Sequence, residues 1–122
     1  MSLVDRAKAV LDGDPDPGRT TVATQVVDAE RGRPAVGLAL TLTLPDGDTK
    51  SGATDAEGRA RVEGDLPAGH YTFTFETGAW YAAQQRETCY PQVSVTVDVA
   101  VGERHQTVVA LGAFSYSTYR GL

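Results

Sequence analysis

The chain has 122 residues, 41% of them hydrophobic, and a formal net charge of −5, which suits one domain with one core burying about two thirds of its unfolded surface. Mild acidity without any run of Lys or Arg leaves no electrostatic footprint for nucleic acid or an anionic membrane. A single cysteine, Cys89, excludes an intrachain disulfide framework and a cysteine-based metal cluster.

In chain order, residues 3–11 place Leu3, Val4, Ala7, Val10 and Leu11 at helical spacing, which allows a short amphipathic helix that would be marginal alone. DGDPDPGR, residues 12–19, follows as an acidic linker punctuated by Pro and Gly. The expected division is an N-terminal extension over 1–19, helical or disordered, and one domain over 20–122. Asp12, Asp14 and Asp16 alternate like the first ligands of a calcium loop. The glycine comes one position late, at Gly18, Ala23 stands where the bidentate glutamate belongs, and prolines interrupt the loop, so no metal site is expected.

From Thr20 onward the pattern is period two, with β-branched and aromatic runs separated by turn residues. The runs fall at 20–29, 35–44, 49–54, 59–62, 70–77, 92–101 and 105–114, with turns at RGRP, PDGD, DAEG, LPAG and VGE. Residues 78–87, GAWYAAQQRE, lose the alternation and suit one or two helical turns, closed by Tyr90-Pro91. An eighth strand is expected over 116–119. The fold class is therefore all-β, a sandwich of two antiparallel sheets with about eight strands and one short helix. Cys89 is expected to be a small packed residue, Trp80, Tyr81 and Tyr116 to pack, and His70 to lie at a surface or edge. No stretch spans a membrane, and the first residues lack the apolar segment and cleavage site of a secretory signal, so a soluble cytoplasmic location is expected.

Five blocks in register carry a resemblance: VVDAERGRPAVGLALTL (26–42), TDAEGR (54–59), TFETGAWYA (74–82), YPQVSV (90–95) and FSYSTYRG (114–121). Over about 20–122 the chain resembles the transthyretin-like proteins, and within them the 5-hydroxyisourate hydrolases of purine catabolism. The STYRG ending is the mark of the hydrolase branch. The resemblance implies a transthyretin-like (prealbumin) sandwich, dimers formed by edge-strand pairing, and a homotetramer whose central channel holds the sites. That channel is lined by the first strand, the seventh strand, the TDxxGR turn and the tail, which is why the chain is expected to end where it does.

Carried over residue by residue, the hydrolase histidine in a block like STHVLD falls on Gln25, and the one in a block like HYHVPLL falls on Gln106. The turn arginine is kept as Arg59. The terminal serine is replaced by Leu122, which makes the site more apolar. His105, next to Gln106, should face the other way, because successive strand side chains alternate. Gln25, Arg59 and Gln106 are thus the candidate catalytic residues, and Tyr119, Arg120 and Leu122 the candidate substrate contacts.

Ring opening by water needs a group that takes a proton near neutral pH. A glutamine amide does not titrate, but it donates and accepts hydrogen bonds, and an arginine holds an oxygen or a carboxylate. The reading is a hydrolase scaffold refitted to bind an apolar small molecule and to drive its cyclisation or rearrangement by positioning, in specialised metabolism, without acid–base groups or a cofactor. Two other readings stay open: a non-catalytic small-molecule carrier, and a 5-hydroxyisourate hydrolase with unusual site residues.

Overall fold

A computed structural model of the protein describes residues 19–121. The expected helix at 3–11, the acidic linker with its three aspartates, and Leu122 lie outside the described residues.

Strand β1 (Thr20–Asp28) shows why the alternating pattern folds as it does: its even-numbered residues are buried and its odd-numbered ones half-buried along the whole strand. After it come β2 (Arg33–Pro34), β3 (Ala39–Thr43), β4 (Thr49–Ala53), β5 (Arg59–Gly64), β6 (Gly69–Phe75), the helix α1 (Thr77–Ala82), β7 (Val93–Val99), β8 (Arg104–Leu111) and β9 (Tyr116–Arg120). One sheet runs β2-β1-β8-β9, with β5 also paired to β1; the other runs β4-β3-β6-β7. The core between them is built on Val22, Val26, Leu38, Leu42, Tyr71, Phe73, Phe75, Tyr81, Val99, Val109 and Leu111.

The all-β sandwich with one short helix stands. One pairing departs from antiparallel: β1 and β8 run parallel, with Thr21 opposite Arg104 and Asp28 opposite Leu111. The ninth strand is β2, two residues inside the expected RGRP turn that pair with Asp28 and Val27 of β1. The 35–44 run, for its part, does not extend from its start. Gly37 takes a φ of +72°, and Thr54 cross-links the bend: its Oγ1 donates to the Ala35 carbonyl at 2.6 Å and accepts from the Leu38 N–H at 2.9 Å. Only its later part, β3, is strand.

Helix α1 starts one residue before the expected 78 and stops short of 87. Gln85 turns into the left-handed region at φ 55°, and the N–H groups of Gln85 and Arg86 donate to the Ala82 and Tyr81 carbonyls. This is a Schellman closure with glutamine where glycine is usual. It releases Arg86 to pair with buried Asp28 at 2.8 Å and with Glu30 at 3.0 Å, its guanidinium lying 4.6 Å from the Tyr81 ring. Tyr81 is buried and Trp80 donates to the Val36 carbonyl, so both pack as expected. Tyr116 meets Tyr90 edge-on at 5.1 Å, and His70 is exposed opposite Asp98.

Cys89 is a correction: it is exposed. The segment between α1 and β7 is a loop, anchored by the Cys89 N–H to the Ala113 carbonyl, and its thiol packs into no core.

Candidate functional site

The outward face of the larger sheet carries the candidate site residues. On β1 the residues turned away from the core are Thr21, Ala23, Gln25 and Val27. Register then sets their neighbours. Gln25 lies opposite Arg59 on β5 and Val108 on β8, and Val108 lies opposite Tyr119 on β9. One step along, Ala23 lies opposite Arg61 and Gln106; one step further, Thr21 lies opposite Glu63 and Arg104. Paired residues share a face, so Gln25, Arg59, Gln106 and Tyr119 come from four strands onto one surface.

The turn before β5 fixes Arg59. Asp55 Oδ1 accepts from the N–H groups of Glu57 and Arg59, each at 2.9 Å, and the Asp55 N–H donates to the Arg59 carbonyl. Gly58 closes this turn at φ +77°, packed against the Val26 carbonyl and Pro34. The Arg59 N–H, then the Glu57 N–H and the Arg59 charge, hold the Asp55 carboxyl below its ordinary value against a partial opposing effect of burial. Gln25 Nε2 reaches the Glu57 carbonyl at 3.4 Å. At the other end the Gly121 N–H donates to the Gln106 carbonyl, and a Cβ there would stand 3.0 Å from Gln106 Oε1. The glycine lets the tail lie against that amide.

A groove of about 600 Å³ opens on this face, bordered by Asp55, Arg59, Arg61, Arg104 and Gln106, among others. Gln25 and Tyr119 lie in the row beside it. Arg120 does not: its register partner is Thr107, on the core-facing side of β8, and its Nη2 donates to Glu103 at 3.0 Å. His105 borders the groove, but its ring is 6% exposed and both nitrogens are engaged. Nε2 lies 2.6 Å from Thr107 Oγ1 and Nδ1 lies 3.4 Å from Glu103. Arg61 and Arg104 were not among the expected site residues. The signal for Arg61 was present, two positions after Arg59 on one strand and so on one face. Arg104 likewise stands two positions from Gln106 on one face of β8; it was left out because the expected run began only at 105.

Against known proteins, residues 22–121 match the HIUase/Transthyretin family. The chain belongs to this family. The 5-hydroxyisourate hydrolase of Salmonella dublin is 29% identical over 112 residues, covering 85% of this chain and 82% of that one. The structure of Klebsiella pneumoniae 5-hydroxyisourate hydrolase is similar at 31% identity and a TM-score of 0.75, covering 84% of this chain and 94% of that chain. Sea bream transthyretin in complex with thyroxine is similar at 26% identity and a TM-score of 0.69, covering 83% and 94%. In this member the turn arginine, Arg59, shares its face with two glutamines, Gln25 and Gln106.

Proposed function

We propose that this family member binds a small molecule in the outer-sheet groove and promotes its cyclisation or rearrangement by holding it in a reactive shape, and that it has lost most or all hydroxyisourate hydrolysis. The observation that carries the reading is the absence of a usable base: among the described residues the groove face bears Gln25, Gln106 and Arg59 but no free imidazole. His105 is tied to Thr107 and Glu103 on the core side, and Asp55, the groove's carboxylate, is held ionised by two backbone N–H groups, which makes it a weak proton acceptor. General-base help worth about 10²–10⁴ in rate is thus missing from the hydrolytic reaction. A cyclisation needs no such group. Fixed donors aimed at a developing negative oxygen, here Arg59 and the two amides, lower its barrier directly.

The site is proposed to be completed in a homotetramer, with Tyr119 giving the ligand's apolar body a surface to lie on. A carrier is the second reading, favoured by the thyroxine complex of the related transthyretin.

One incubation separates the readings. The purified protein is mixed with a metabolite extract of its source organism and the products are followed by mass spectrometry, with native spectra reporting the assembly. Cyclisation consumes one metabolite and yields an isomer of unchanged mass, and Gln25→Ala, Gln106→Ala or Arg59→Ala slows that conversion. A product heavier by one water signals hydrolysis instead, and a bound but unaltered ligand signals a carrier; either outcome sinks the cyclase proposal.

A further inference from the structure

The groove concentrates positive charge in a chain whose net charge is −5. Arg59, Arg61 and Arg104 border it together, and among the described residues no carboxylate forms an ion pair with any of the three guanidinium groups. Asp55, which borders the same groove, offsets Arg59 in part by its charge but makes no ion pair with it. Asp55 serves the turn through its Oδ1, and Glu63, opposite Thr21, pairs with Arg19 at 3.2 Å. Three like charges on one face repel one another, and that repulsion is relieved when an anion binds between them.

Their spacing constrains the anion. Arg59 and Arg61 stand two residues apart on β5, roughly 7 Å along the strand, while Arg104 lies on the far side of β1 and level with Glu63, about 12 Å from Arg61 at the backbone. A single carboxylate fits one guanidinium fork and leaves the others uncompensated.

Resting on the reading of this groove as a small-molecule site, we infer that it selects a dianion with two separated carboxylates, one on the Arg59–Arg61 side and one at Arg104, with the Gln106 amide beside the second. Arg61 and Arg104 are then the residues that set specificity.

Calorimetric titration of the full chain at low salt tests it with four probes: terephthalate, benzoate, neutral terephthalamide and phenyl phosphate. Terephthalate should bind at least about tenfold more tightly than benzoate, the gain of one further charge-assisted contact, and its affinity should fall more steeply with added salt. Terephthalamide should give no measurable heat. Arg104→Gln should bring the terephthalate-to-benzoate ratio close to one and Arg61→Gln should lower it, Arg59 remaining, while both leave thermal unfolding and the assembly state in native spectra unchanged. Equal affinity for the two carboxylates, an unaltered ratio in both variants, or no binding by any probe overturns the inference. Phenyl phosphate matching terephthalate overturns it too, by showing that a compact dianion suffices. The functional reading fails separately: brisk hydroxyisourate ring opening contradicts that reading whatever the dianion preference, and a missing preference contradicts this inference whatever the hydrolase assay gives.

Discussion

Gln25 and Gln106 sit on adjacent strands, one register step apart, on the face that also carries Arg59. Neither amide can exchange a proton at ordinary pH, whereas histidine at either place could. Gln25→His with Gln106→His should therefore raise hydroxyisourate ring opening by about 10² or more, with a rate that rises through the histidine range; a double variant that folds but gains nothing would mean that these positions do not face the reacting atoms. Away from the groove, Asp28 joins the sheet to the segment after α1. Burial tends to raise its carboxyl, but the Arg86 hydrogen bonds, the N–H groups of Arg31 and Glu30 and the Arg86 charge together hold it below its ordinary value of 3.8. A lowered folded value means that this stabilisation is complete above the ordinary carboxylate range and is lost as pH falls through the folded value. Asp28→Asn should cost about 2 kcal/mol in urea unfolding at neutral pH, and the variant should lose less stability than the parent on acidification. Burial, with the hydrogen bond to Glu30 and the nearby acids adding to it, pushes the neighbouring Tyr81 hydroxyl up to about 12, so it stays neutral throughout.

At the scale of elements, two backbone positions decide how the site and the helix are delivered. A Cβ at Gly58 would run into the Val26 carbonyl and come within 3.2 Å of Pro34 at a φ of +77°, whereas Gly32, at φ +66°, has nothing within 4 Å. Gly58→Ala should destabilise by about 3 kcal/mol or more, and Gly32→Ala by only about 1 kcal/mol, the left-handed penalty alone. Thermal melts of the pair check the difference, and equal losses would contradict the close approach at the Arg59 turn. Gln85 is the opposite case. It bears the left-handed strain at the end of α1, so Gln85→Gly should stabilise by about 0.5–1 kcal/mol. The alternation of β1, β5 and β8 was legible in the sequence because period two needs only local information; the grouping of Gln25, Arg59 and Gln106 on one face came from the family resemblance, since it depends on register between strands. The two-residue β2, the early end of α1 and the place of Arg104 on the groove were not legible. The first depends on Arg33 and Pro34 meeting Asp28 and Val27 of β1, the second on Arg86 finding Asp28 fifty-eight positions away, and the third on β8 beginning one residue before the expected 105. Cys89 was misplaced for a related reason, since its neighbours have strand-forming side chains but its backbone is held by Ala113 in a loop.

For the whole molecule, an acidic chain gathers three arginines into one groove on the outer face of a transthyretin-type sandwich. The scaffold is the one shared with the hydrolases, and the glutamines on the groove face, Gln25 and Gln106, are the ground for proposing that its chemistry differs. Everything proposed for the protein turns on whether a face without a free proton acceptor still performs the hydrolytic reaction of its relatives. Time-resolved absorbance of freshly generated 5-hydroxyisourate, with and without the purified full chain, measures this directly. Decay indistinguishable from the spontaneous rate is the expected result; turnover close to that of the Salmonella or Klebsiella hydrolase would contradict the account.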